Sequence, residues 1–120
     1  MLTTNLRLDA EMHRWLVEVF WYLEYRADFI DPDMFRIEVE KVRAFQQLFR
    51  ATMEEAAEAA DTPEEVEVTR DDLWWLDYYV MAAREYSARS TEKGLLNVDD
   101  EDLQYLQQWL SQARDRLRPH

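Results

Sequence analysis

Carboxylates are the only abundant reactive groups in this chain, with 26 Asp and Glu against two His and no Cys. Two Glu-x-x-Glu pairs, Glu55 with Glu58 and Glu64 with Glu67, have the spacing that sets two carboxylates on one helix face, where a hard cation such as Mg²⁺ binds. A helical metal-dependent hydrolase built on such pairs needs further carboxylates downstream, and no Glu-x-x-Asp follows on a later helix. The Glu-x-x-His pattern of di-iron helical bundles is missing as well. Without Cys, without Gly-x-Ser-x-Gly and without His near any Ser, nucleophilic catalysis lacks its parts. One Gly cannot build a phosphate-cradling loop. The pairs therefore read as a solvated acidic face, and neither a metal nor a cofactor is expected.

The acids are unevenly spread. Between Ala51 and Thr69 stand Glu54, Glu55, Glu58, Asp61, Glu64, Glu65 and Glu67 with no Lys or Arg among them, and Asp71 and Asp72 extend the run. Acids at a helix start complement its dipole, which accounts for Asp71, Asp72 and the second run Asp99 to Asp102. At the end of a helix they oppose it, so Glu54 to Asp61 needs another reason. The net charge of −12 disfavours direct phosphate binding and suits a basic protein surface. Carboxylates at Glu54, Glu58, Asp61 and Glu65 would stand roughly 6 Å apart on a helix, against about 3.4 Å per charge along one strand of duplex DNA. They imitate a phosphate track only approximately. The basic stripes, Arg36, Arg43 and Arg50, then Arg114, Arg116 and Arg118, are explained by local pairing and by the negative end of a helix.

The second anomaly is aromatic. The run Leu73-Trp74-Trp75-Leu76-Asp77-Tyr78-Tyr79-Val80-Met81 is apolar nearly all round a helix. Leu76, Tyr79, Ala83 and Tyr86 share one face; Arg70, Asp77 and Arg84 share the opposite one. Trp74, Tyr78 and Met81 fall on or beside that polar face, as Trp21 and Tyr25 do on an earlier helix. These five residues predict either two central helices or an interface, with a partner protein or with a second copy in a homodimer. Glu38 falls between Phe35 and Val42 at a core-facing position, where it would need a partner such as Arg26 or His13.

The elements that position these residues follow from punctuation and periodicity. One Gly and three Pro leave few tight turns and predict an all-α fold, a bundle of four helices in a single domain over 1–120. Asp9 caps a helix over 10–27, and Asp31-Pro32 starts a long one over 32–60. Thr69 caps 70–93 before Gly94, and Asp99 leads into 100–117. An extra helical turn near 63–66 is expected before the extended Val66-Glu67-Val68, and Leu6-Arg7-Leu8 alternates. Residues 67–84 and 97–114 superpose at an offset of thirty, which shared capping explains without duplication. The start of the chain has no signal-peptide pattern, and the run Trp15 to Tyr25 is interrupted by Glu18 and Glu24. With no Cys, the expected compartment is the cytoplasm.

These readings converge on a small acidic, non-enzymatic protein-binding module. The favoured form is an inhibitor or nucleic-acid-mimic decoy of the sort mobile elements encode against host defences, engaging a basic, nucleic-acid-handling protein. A self-associating assembly subunit is the alternative, and the helical hydrolase trails both.

Overall fold

The computed structural model describes residues 2–27, 30, 33, 35–49, 64–89 and 96–117. Along them run β1 (Thr3–Leu8), α1 (Ala10–Arg26), α2 (Val39–Leu48), β2 (Glu64–Thr69), α3 (Arg70–Arg89) and α4 (Asp100–Asp115). Helices dominate, but the all-α expectation is corrected: β1 and β2 form a two-stranded antiparallel sheet. Leu6, Leu8, Val66 and Val68 are buried while Arg7, Glu65 and Glu67 are exposed, the period-two alternation of a half-buried strand. The alternation was legible; the partner was not, because no local hairpin joins the strands. The helical turn expected near 63–66 gives way to β2 over Glu64–Thr69. In a strand, positions three apart do not share a face, so residues 64 and 67 lack the common helix face their spacing predicted.

Each strand feeds directly into a capped helix. Asp9 keeps an extended backbone (φ −79°, ψ 173°), and its side chain accepts a hydrogen bond from the Met12 N–H at 2.8 Å. Thr69 and Asp72 close a reciprocal capping box: Thr69 Oγ1 accepts from the Asp72 N–H at 3.0 Å, and Asp72 Oδ2 accepts from the Thr69 N–H at 3.0 Å.

The described elements form two β-α-α halves. Leu6 lies directly opposite Val66, the residue sixty places on, so a local two-fold axis relates the strands at that pair. The relation continues into the helices. Every buried position of α1 has a buried or half-buried counterpart sixty residues later in α3, among them Leu16 with Leu76, Val19 with Tyr79 and Leu23 with Ala83. At sixty-one, Val42, Phe45 and Phe49 match Leu103, Leu106 and Leu110, all buried. The thirty-residue likeness holds only within the helices, where Leu73, Leu76, Val80 and Ala83 match Leu103, Leu106, Leu110 and Ala113, all buried; before them 64–69 is a strand and 96–99 is irregular.

Packing makes α1 and α3 the inner helices. Phe20 of α1 meets Phe45 and Phe49 at 6.1 and 6.3 Å between ring centroids, and Phe45 reaches Tyr79 of α3 edge-on at 6.1 Å. On the other side Trp15 of α1 meets Tyr105 of α4 at 6.2 Å. Thus α2 crosses from α1 to α3 while α4 crosses from α3 to α1. Burying each of the three Phe side chains is worth about 1.5–3 kcal/mol against leaving it in water. His13, buried in α1, bonds the carbonyl oxygen of Phe49 at 2.9 Å. A carbonyl only accepts, so Nε2 carries the proton and fastens α1 to the C-terminal end of α2.

Helix boundaries differ from expectation mainly at α2. The described helix begins at Val39, not near Pro32, and ends at Leu48. The Arg36 N–H donates to the Tyr78 hydroxyl at 2.8 Å instead of to a helix carbonyl. The later start resets the helical phase. Glu38 is consequently the exposed, extended residue before α2, paired with Arg36 Nε at 3.3 Å and not with Arg26 or His13. Residues 50–63, and with them the rest of the expected long helix, lie outside the described residues, as does the Gly94 stop. The described α3 ends at Arg89, and α4 ends at Asp115 rather than Leu117. Among the described residues no helix is long and apolar enough to cross a membrane.

Candidate partner-docking surface

The aromatic residues singled out from sequence divide into two pairs. Trp21 is 37% exposed and Tyr25 56%; their rings stack in parallel at 5.3 Å. Trp74 is 46% exposed and stacks in parallel on half-buried Tyr78 at 5.5 Å, with Trp75 edge-on to it at 5.0 Å. Met81 is half-buried one turn further along. Each pair lies within its own helix at a spacing of four, and no ring contact among the described residues joins one pair to the other. They are two surfaces, not one.

Both occupy the same stripe of equivalent helices. The outward line of α1 runs Glu11, Arg14, Glu18, Trp21, Tyr25; sixty residues on, that of α3 runs Asp71, Trp74, Tyr78, Met81, Glu85. The two inner helices are therefore enclosed over most of their circumference, which accounts for their apolar breadth. A narrow strip remains, and on each it carries a stacked pair.

The Trp74 pair is held from behind. Lys41 Nζ of α2 sits 4.8 Å from the Trp75 ring centroid, a cation–π contact. The Tyr78 hydroxyl is anchored by the Arg36 backbone. Tyr79, fully buried beneath, has its hydroxyl pKa pushed up to about 12, chiefly by burial.

Part of the polar face read on α3 is the seam with α4: Asp77 and Arg84 are half-buried there, while Arg70 stays exposed. Arg84 reaches Asp100 with two nitrogens, at 2.6 and 3.3 Å, and donates to Gln107 at 3.3 Å. That bonding, with Gln104, holds the Asp100 carboxyl below its ordinary range. Arg114 approaches Asp77 at 3.4 Å. Arg43 pairs with Glu24 at 2.9 Å, so this member of the basic stripe on α2 is spent on α1 and not on Glu40.

Of the acids, Glu54, Glu55, Glu58 and Asp61 lie outside the described residues. Glu64 begins β2; Glu65, Glu67 and Asp71 are exposed. Arg7 stands opposite Glu65 and Asn5 opposite Glu67 in the ladder, a cross-strand neighbour the linear count of charges could not reveal. In order along the chain, Glu65 and Glu67 on the wet face of β2 lead through Asp71 to Trp74 and Tyr78 on the open strip of α3.

Beside Trp74 an open cleft of about 580 Å³ lies between the start of α3 and the end of α4, lined by Arg70, Asp71, Trp74, Arg114 and Asp115. Sequence reasoning missed it. Arg114 and Asp115 come from the far end of a different helix, and only the antiparallel α3–α4 pairing brings them here. Tyr105, 56% exposed at the edge of Trp15, was missed too; its position among the Gln residues of α4 gave no signal.

Comparison with family models, with characterised proteins and with solved structures finds no match to this chain.

Proposed function

We propose that this protein is a small, non-catalytic binding module that docks on a basic protein surface through the outer face of β2 and the open strip of α3. The observation that carries this reading is the stack of exposed Trp74 on half-buried Tyr78, with exposed Asp71 lining the same cleft as Trp74 and exposed Glu65 and Glu67 on the strand that leads into α3. A pre-stacked aromatic pair offers large contact area at low entropic cost, and acids around it select a cationic partner. The partner class this chemistry favours is a protein whose basic surface handles nucleic acid, with the module acting as its inhibitor or decoy. Same-face residues in a strand stand about 6.7 Å apart, roughly half the charge density of one nucleic-acid strand. The fit is to scattered Lys and Arg, not to a close replica of phosphate.

Affinity capture with the wild type and with a Glu65→Gln/Glu67→Gln/Asp71→Asn variant tests this. Basic proteins retained by the wild type at low salt should be lost in 0.5 M salt, about a 4 Å screening length, and lost on the variant. Capture indifferent to both changes rejects the basic-partner reading.

A second reading has its own observation. The Trp21–Tyr25 stack is separate from the first surface, with a shallow hollow of about 320 Å³ lined by Trp21, Glu24 and Tyr25. It fits self-association of the chain. An oligomer dissociated by Trp21→Ala but not by Trp74→Ala would assign this surface to assembly; a monomer at every concentration removes that role.

A further inference from the structure

The cleft between α3 and α4 deepens the docking reading, on which it rests, by identifying what enters it. We infer that it receives an arginine side chain of the basic partner, the guanidinium lying over the Trp74 indole and bonded to Asp71.

Three features argue for a cation. Tyr78, one turn C-terminal to Trp74, covers one ring face in a parallel stack at 5.5 Å. Asp71, one turn N-terminal to Trp74, lines the cleft with it. No cation lies over the Trp74 ring among the described residues, although Lys41 already occupies the neighbouring Trp75 ring. An indole face with a vacant position is the strongest side-chain surface for a guanidinium.

The charges agree. The cleft brings Asp71 and Asp115 together with Arg70 and Arg114. Arg114 is engaged by Asp77, at 3.4 Å, and the protein as a whole carries a net charge of −12. Asp71 is exposed and accepts two parallel N–H···O bonds from a planar fork. Arginine fits better than lysine because its flat guanidinium stacks and bonds at once. The volume, about 580 Å³, admits one such side chain with its flanking backbone.

The test uses the five indole N–H resonances of the ¹⁵N-labelled full chain, that of Trp74 assigned by Trp74→Phe. Titration with acetyl-Gly-Arg-Gly-Arg-Gly-amide should move the Trp74 resonance saturably. The lysine counterpart should do so more weakly, and the glutamate counterpart not at all. Trp74→Ala should weaken arginine-peptide binding roughly 2- to 30-fold, and Asp71→Asn should weaken it too, the four other indole signals reporting an intact fold. Salt-dependent binding of the arginine peptide that leaves Trp74 unmoved overturns the cleft assignment while the basic-partner reading stands. Movement of Trp74 by the glutamate peptide alone makes the cleft an anion site and overturns it as well. Binding of neither basic peptide overturns both.

Discussion

Glu24 and Arg84 stand at the same place in the two halves of the molecule, sixty residues apart and opposite in charge. Each projects from an inner helix onto the outer helix of its own half. Glu24 accepts from Arg43 at 2.9 Å and from Gln46 at 3.1 Å; Arg84 donates to Asp100 and Gln107. Gln46 and Gln107 are themselves equivalent, and an amide serves either polarity because it carries both donor and acceptor. The architecture is thus kept in duplicate while the electrostatics of each seam is reversed.

The acid limb of stability should depend on Arg84. Its hydrogen bonds lower the Asp100 pKa, so the folded state holds this proton more weakly than the unfolded chain does. The resulting stability is complete above the ordinary carboxylate value, near 3.9, and is lost as pH falls through the lower, folded value. In Arg84→Met the fall in melting temperature on acidification below about pH 4 should be shallower than in the wild type.

The alkaline limb should depend on Tyr79. With its folded pKa raised to about 12, the native state keeps a proton that the unfolded chain releases near 10. Stability is therefore full below pH 10 and is lost between about 10 and 12, by on the order of 2 kcal/mol. Tyr79→Phe should flatten this limb in urea titrations while leaving stability at neutral pH within about 1 kcal/mol.

The helix starts beneath both strands should be worth similar amounts. Asp9→Ala removes the acceptor for the Met12 N–H, and Thr69→Ala breaks the box with Asp72. Each should cost about 1 kcal/mol, read as a lower urea midpoint at unchanged slope.

Equivalent inner positions should contrast with the exposed aromatics. Leu16→Ala and Leu76→Ala, at sites of 0% exposure, should each cost about 2–5 kcal/mol. Trp21→Ala and Trp74→Ala should cost under about 1.5 kcal/mol, because their rings already meet water. Losses at Trp21 or Trp74 as large as those at the leucines would make these rings structural and count against docking.

The sequence alone determined what depends on neighbours a few residues apart. Asp9, Thr69 with Asp72, and the 3–4 spacing in α1, α3 and α4 specify helices close to where they form, since capping and amphipathic periodicity act over one or two turns. It also marked Trp21, Tyr25, Trp74 and Tyr78 as surplus to their core stripes, and these remain exposed or half-buried in the folded chain. Tertiary structure decided whatever needs residues far apart in the chain. Leu6 pairs with Val66, Arg7 faces Glu65, and Asp77 and Arg84 meet side chains of α4, because strand pairing and helix docking bring together groups that no local pattern connects. The start of α2 belongs with these: Asp31-Pro32 is a sound local signal, yet a hydrogen bond from the Arg36 backbone to Tyr78, forty-two residues away, accompanies a helix that begins only at Val39.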